Sequence, residues 1–357
     1  MYSLSKIKKI FFVLEHLSGQ GGVETVVTKV VNELEKRGYI VIVLLPNRSD
    51  DYTWELNLHN VYYYNNYEDC KSMNGFDLIL SKVKGINRIL IDLGKPDIII
   101  GTHMPITVLY SRLTVGYEDI KVISWMHSSL ELFGDSSKYL KYADIHWSIS
   151  TNLTYELERL INKKDIYSIP NPIDINVDML DISLENNFVY IGRLENYTKR
   201  FDILFTSLSK LGAEWTLDVY GDGPDKKYIE CIINELNLND KVKMKGYVRN
   251  PWKYINYKKA LLLSSEYEAF PMVILEALSR GIPVVATDCG GIGEIIECGC
   301  NGYLARECNS ESLYKEITQL LNLSYYELCE MQKNAIKSVY CYSTNIILDK
   351  MEETFDL

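Results

Sequence analysis

Glu268 and Glu276 stand eight residues apart, and Ala269-Phe270-Pro271-Met272-Val273 follows the first of them. Each carboxylate can accept hydrogen bonds from ligand hydroxyls, one from a hexose and one from a ribose. Pro271 suits the first turn of a helix, where its missing N–H has no helical partner to lose. That start leaves Glu268 in the preceding loop and puts Glu276 about a turn and a half inside, at about 3.6 residues per turn. The backbone N–H groups of Met272 and Val273 then point out of the helix start and can take a hydroxyl or a phosphate oxygen. The helix dipole alone also favours acidic residues here, so the two glutamates do not decide the chemistry by themselves.

Other strand ends add cations and glycines. Gly192-Arg193, Lys199 and Gly221-Asp222-Gly223-Pro224 precede the glutamates, and Gly290-Gly291-Ile292-Gly293-Glu294 follows them. In an open α/β sheet, ligands bind at the carboxyl ends of the strands. Arg193 and Lys199 place two positive charges there, suited to a leaving group that gains negative charge as a bond breaks. Glycines such as Gly221 let the backbone come close to phosphates. Tyr247-Val248, after Gly246, can face a nucleobase, with a packed surface tyrosine as the equal alternative. In the N-terminal half, Gly21-Gly22-Val23-Glu24 opens a helix after a strand. His103 and His127 each follow a strand, and a neutral imidazole there can hydrogen-bond a ligand.

These residues need a repeated frame to hold them. Ile10 to Leu14 is a continuous apolar run, as expected of a parallel strand buried on both faces. Val26, Val27, Val30, Val31 and Leu34 then mark one face of a helix that Gly38 ends. Ile40 to Leu45 completes a βαβ unit. Short strands are expected again at Asp97–Gly101, Val122–Trp125, Ile145–Ile149 and Tyr167–Ile169. Pro170-Asn171-Pro172 makes a stiff break. The alternation then restarts with strands at Phe188–Ile191, Trp215–Tyr220, Val242–Lys245, Ala260–Ser264 and Val284–Ala286, and a last helix is expected at Asn345–Phe355. The fold class is therefore α/β, with two doubly wound parallel sheets.

Bulk properties narrow the function. The net charge of −10 argues against nucleic acid as the main partner. It is uneven: residues 1–171 carry 19 Lys/Arg against 20 Asp/Glu, and the rest 19 against 28. The nearly neutral half can approach an anionic membrane with less repulsion than the acidic half. The eight cysteines include no C-x-x-C pair, so reduced thiols in a cytoplasmic protein are expected. No metal site is expected, because no Asp-x-Asp stands in a suitable place. The apolar run after Lys6 is too short for a signal peptide. No Gly-x-Gly-x-x-Gly follows the first strand, which argues against a nicotinamide-dependent dehydrogenase.

Together these residues resemble the retaining glycosyltransferases of family GT4, most strongly from Val189 to Leu304. The resemblance implies the GT-B fold, two Rossmann-like domains facing across a cleft. Residues 1–171 would bind the acceptor and 172–340 the nucleotide sugar. The terminal helix, 341–357, would pack back towards the N-terminal domain. Glu268 would touch the donor sugar and Glu276 the ribose, Arg193 and Lys199 would hold the diphosphate, and His127 would join them as a catalytic residue. Gly21, Gly22, Gly221, Tyr247, Val248, Phe270, Pro271, Met272 and Val273 would complete the donor site, with His103 on the acceptor side. The donor is a co-substrate, so no cofactor is implied. Two departures stand out: Lys199-Arg200, where many members have Lys-Gly, and Ala269, where Gly or Ser is common. Within the family, Trp215, Pro251-Trp252 and Phe270-Pro271-Met272 are similar to lipopolysaccharide 1,6-galactosyltransferases. That likeness implies UDP-galactose as donor and a saccharide or lipid-linked glycan as acceptor, at the cytoplasmic face of the inner membrane. A GDP-sugar enzyme and a non-catalytic sugar-nucleotide-binding protein are the alternatives.

Overall fold

The computed structural model describes residues 8–65, 75–116, 119–175, 177–212 and 214–356. Lys6, Cys70 and part of the Asp51–Gly75 stretch lie outside them. Two compact units are formed: Met1–Pro172 with Thr344–Leu357, and Ile173–Ser343.

The first unit carries β1 (Lys9–Val13), α1 (Gly22–Lys36), β2 (Ile40–Leu45), β3 (Val61–Tyr63), α2 (Gly75–Leu93), β4 (Ile98–Thr102), α3 (Pro105–Val115), β5 (Lys121–Trp125), β6 (Ile145–Ser148), α4 (Thr151–Glu158) and β7 (Ile166–Ser168). Its seven strands run in the order β3-β2-β1-β4-β5-β6-β7, and every pairing is parallel. Ile10 to Leu14 is wholly buried, the reason its sequence is an unbroken apolar run. The same valines and leucine that marked one face of α1 are its buried face. The chain turns outward in opposite directions from β1 and β4, so a crevice opens between their carboxyl ends.

The second unit carries β8 (Asp181–Ile182), β9 (Asn187–Ile191), α5 (Asn196–Lys199), α6 (Phe201–Ser209), β10 (Thr216–Tyr220), α7 (Lys226–Glu235), β11 (Val242–Gly246), β12 (Tyr257–Lys258), β13 (Ala260–Leu263), α8 (Met272–Ser279), β14 (Val284–Thr287), β15 (Gly302–Ala305), α9 (Ser310–Leu321) and α10 (Tyr325–Ser338). Its six-stranded parallel sheet has the order β11-β10-β9-β13-β14-β15, and its switch point lies between β9 and β13. β8 and β12 pair separately. Both sheets are Rossmann-like.

The last helix, α11 (Thr344–Glu353), belongs to the first unit. Asp349 and Glu352 meet Arg37 at 2.6 and 2.8 Å. Beyond the helix, Thr354 accepts the Trp147 indole N–H at 3.0 Å. Among the described residues, no helix is long and apolar enough to cross a membrane.

One local expectation is corrected. Pro271 caps α8 from outside with extended backbone, φ −73° and ψ 114°, and the helix begins at Met272. The following N–H groups still face forward.

Candidate functional site

The second unit brings Lys199 and Glu268 together at its switch point. Lys199 ends α5, after β9, and Glu268 lies in the loop after β13. Lys199 Nζ meets Glu268 Oε1 at 2.6 Å, and the Ser265 hydroxyl donates to the same oxygen at 2.8 Å. Both side chains are mostly shielded from water, at 21% and 13% exposure, so the ion pair has a fixed geometry that a surface pair lacks. The backbones are tied too. Ser264 donates its hydroxyl to the Lys199 carbonyl at 2.7 Å, and the Glu266 N–H donates to the Thr198 carbonyl at 2.8 Å.

Arg200, the residue after Lys199, has φ 49° and ψ 53°. This left-handed conformation explains why glycine suits the position. Here an arginine takes it, held by Asp202 at 3.0 and 3.1 Å and by Glu266 at 2.7 Å. The departure from Lys-Gly thus keeps the loop shape and adds three charged contacts.

Gly290, after β14, comes against Glu268 from the other side. Its φ is 53°, and a Cβ there would lie 1.5 Å from the Glu268 carbonyl oxygen. The Gly291 N–H donates to that carbonyl at 3.3 Å. Gly221 plays a similar part beside β9: an added Cβ would sit 1.9 Å from the Gly192 carbonyl oxygen. Its own N–H donates to the Gly246 carbonyl at 2.9 Å, so the loops after β9, β10 and β11 are in backbone contact. Arg193 is exposed on this rim, and its guanidinium has no hydrogen-bond or ion-pair partner among the described residues. Tyr247 is exposed and Val248 half-buried at the end of β11.

Of the residues at the start of α8, Phe270 is buried, with its ring edge-on to Tyr342 at 5.5 Å. Pro271 is buried as well, and its carbonyl accepts the Ile274 N–H at 3.1 Å. Met272 and Val273 carry first-turn N–H groups outside the helical ladder. Glu276, within α8, is not joined to Lys199 or Glu268. Its Oε2 accepts the Trp252 indole N–H at 2.9 Å. Trp252 and Ser265 were not expected as site residues. The signal for Ser265 was its place just past a buried strand, three residues before Glu268.

The first unit gathers its candidates at the carboxyl ends of β1, β4 and β5. The glycine loop is closed by Glu24, buried in the first turn of α1, which accepts the Gly19 N–H at 2.7 Å. Gly19 is the glycine the backbone demands, at φ 92° with a Cβ position 1.9 Å from the Asp51 carbonyl oxygen. Gly21 faces Glu24, whereas around a Cβ on Gly22 there is open space to 4 Å. His127 is buried and ring-packed on Trp125 at 4.4 Å. Burial lowers its pKa to about 3, proximity to His103 adds to this and Asn171 opposes it, so the ring is neutral. Its Nε2 lies 3.1 Å from the Thr102 hydroxyl, which donates to the Trp125 carbonyl at 2.7 Å. With that proton used, the Thr102 oxygen is left to accept a bond from Nε2. His103 has φ 73°, and its buried Nδ1 has no hydrogen-bond partner among the described residues. Burial lowers its pKa, with Glu24 and Glu15 opposing. Among the described residues, no three His, Cys, Asp or Glu side chains could hold a metal ion.

Comparison with known proteins covers both units. Residues 181–339 match the family described as Glycosyl transferases group 1, and residues 20–177 match Glycosyltransferase Family 4. The chain is 31% identical to a lipopolysaccharide 1,6-galactosyltransferase of Escherichia coli (strain K12) over 311 residues, 83% of this chain and 84% of that one. It is 31% identical to the Salmonella typhimurium (strain LT2) protein of the same description over 313 residues, 83% and 85% of the two chains. A structure of the lipopolysaccharide outer core galactosyltransferase WaaB in its apo form superposes with a TM-score of 0.83 at 26% identity, covering 98% of this chain and 99% of that one. Anabaena Alr3699/HepE, solved in complex with UDP, shares the fold, with a TM-score of 0.83 at 19% identity over 98% and 99% of the two chains.

Proposed function

From a chain that belongs to the group 1, family 4 glycosyltransferases of GT-B fold, and so transfers sugar from a nucleotide sugar, we propose a retaining hexosyltransferase that uses a UDP-sugar, with galactose favoured. Its acceptor is a hydroxyl of a saccharide or lipid-linked glycan in cell-envelope polysaccharide synthesis. The galactosyltransferase relatives support the sugar, and the UDP bound to a protein of the same fold is consistent with the nucleotide.

The observation that carries the reading is the shielded Lys199–Glu268 pair, fixed by Ser265 at the β9/β13 switch point. In this reading Glu268 accepts hydrogen bonds from the donor sugar and Lys199 faces the diphosphate. Arg193 is the second cation, its guanidinium, unpaired among the described residues, suiting it to an anionic ligand. The N–H groups of Met272 and Val273 add backbone donors at a helix start. Glu276 takes the ribose, Tyr247 and Val248 the base, and Gly221 lets the backbone approach the phosphates. In the first unit, Gly21, Gly22 and the neutral His127 serve the donor and His103 the acceptor. The acceptor hydroxyl attacks the anomeric carbon on the face the diphosphate leaves. A leaving phosphate oxygen takes the proton, and Lys199 and Arg193 stabilise the growing negative charge.

The test is transfer or slow hydrolysis of UDP-galactose, UDP-glucose and GDP-mannose by the purified protein, read as release of nucleoside diphosphate. UDP release, fastest with UDP-galactose, is expected. GDP release alone would overturn the donor assignment. Absence of turnover and of binding with every donor would overturn the catalytic reading.

A further inference from the structure

The Glu276 carboxylate is held by a residue that has been given no role above. Trp252 sits in a short helical turn, Pro251–Tyr254, six residues beyond β11. It is 8% exposed, and its indole N–H points at Glu276 Oε2, 2.9 Å away, across 24 residues of sequence. Arg280, one turn beyond Glu276 on the same helical path, closes the arrangement. Its guanidinium carbon lies 5.0 Å from the centre of the Trp252 ring, within cation–π range. Its Nη1 donates to the Glu276 carbonyl at 2.9 Å. The indole is thus gripped on its face by Arg280 and grips Glu276 with its edge.

We propose that Trp252, locked by Arg280, is a positioning residue that sets the Glu276 carboxylate for the ribose diol of the donor nucleotide. The inference rests on the assignment of Glu276 to the ribose. An indole has one donor and no acceptor, so it orients a carboxylate in one sense only. A carboxylate offers about four lone-pair sites, so the indole bond is compatible with further bonds to a diol. Free rotation of the carboxylate would have to be frozen on binding, and Trp252 has frozen it beforehand, the general advantage of a preorganised site. The turn that holds Trp252 also follows Tyr247 and Val248 on the same stretch of chain. The base side and the ribose side of the nucleotide are therefore set by one segment.

The test is calorimetric binding of UDP, 2′,3′-dideoxyuridine diphosphate and inorganic pyrophosphate to the full chain. Wild type is expected to bind UDP more tightly than the dideoxy analogue. Trp252→Phe keeps an aromatic ring under Arg280 and removes the N–H. It is expected to reduce that preference about tenfold, the scale of a hydrogen bond to a charged group, with pyrophosphate affinity unchanged. Arg280→Met, which frees the indole face, is expected to reduce the preference in the same direction, and serves if Trp252→Phe does not fold. An undiminished preference in the folded variants would overturn the proposal. So would an equal loss for all three ligands, which would mark Trp252 as packing alone. A wild type that binds UDP without any preference for the diol overturns the ribose assignment of Glu276, a different failure read from wild type alone.

Discussion

Substituting Gly290 by alanine should disable the site while leaving most of the fold standing. The new Cβ would lie 1.5 Å from the Glu268 carbonyl oxygen. Ordinary contact is about 3.5 Å, so the two segments must part by roughly 2 Å. The positive φ of 53° adds left-handed strain of about 1–2 kcal/mol. Glu268 is the segment able to yield, because it sits in the loop between β13 and α8. Its movement breaks the 2.6 Å contact with Lys199 and the 2.8 Å contact with Ser265. A misplacement of about 1 Å at a reacting centre costs about 100-fold in rate, so kcat/KM should fall by at least that factor. The Glu276–Trp252 contact lies further along, inside α8, and Gly290 does not touch it, so UDP affinity should fall less than turnover. Unfolding of the Ile173–Ser343 unit should come about 4–8 °C earlier, from about 2 kcal/mol of strain. The assay is steady-state release of nucleoside diphosphate alongside scanning calorimetry. Gly22→Ala is the control: open space surrounds its Cβ position, so its melting temperature should not move, and any loss of turnover reports a ligand using that space. A Gly290→Ala enzyme with kcat/KM within twofold of wild type and an unchanged melting temperature would refute the reasoning.

Further outcomes follow from the same geometry. Lys199→Met should lower kcat about 100- to 1,000-fold, the scale of one donor to a developing charge; wild-type rates in a folded variant would remove Lys199 from the mechanism. Arg200→Gly should melt within a few degrees of wild type, since relief of left-handed strain offsets exposed ion pairs worth about 0–1 kcal/mol each. Arg200→Ala, losing the pairs and keeping the strain, should be less stable than Arg200→Gly by about 1 kcal/mol, as urea titration would show. Acid should loosen the first unit. Burial holds His127 and His146 at about 3 and about 4, below the unfolded value near 6.5. Their contribution is complete above pH 6.5 and is lost as pH falls towards the folded values, at about 1.4 kcal/mol per pH unit for each. His146→Gln, which can keep a bond to Ser124, should flatten the dependence of urea midpoint on pH between 6.5 and 4; an unchanged slope would count against the buried-neutral assignment.

Much of this architecture was readable because strands buried on both faces must be continuous runs such as Ile10–Leu14, and because glycines and polar residues cluster where such runs end. The short strands β3, β8, β12 and β15 are not among the expected ones. Val61-Tyr62-Tyr63 lies in a tyrosine-rich stretch, and Gly302-Tyr303-Leu304-Ala305 opens with a strand-weakening glycine. The individual site residues were legible as types at strand ends. Their partners were not, since Lys199 reaches Glu268 across 69 positions and Trp252 reaches Glu276 across 24. Nothing local encodes such pairings; strand order creates them. Arg200 was visible only as a departure, because a positive φ cannot be read from an arginine.

The tail has a consequence for how the molecule is made. The first unit is assembled from both ends of the chain, with Thr344–Leu357 completing what Met1–Pro172 begins. On a ribosome adding about 5–20 residues per second, the intervening 171 residues of Ile173–Ser343 take roughly 10–30 s to appear. Throughout that interval Arg37 waits for Asp349 and Glu352, and the Trp147 indole waits for Thr354. The half synthesised first is the half finished last. A premature stop codon just before Thr344 therefore spares every residue of the second unit and wounds the first.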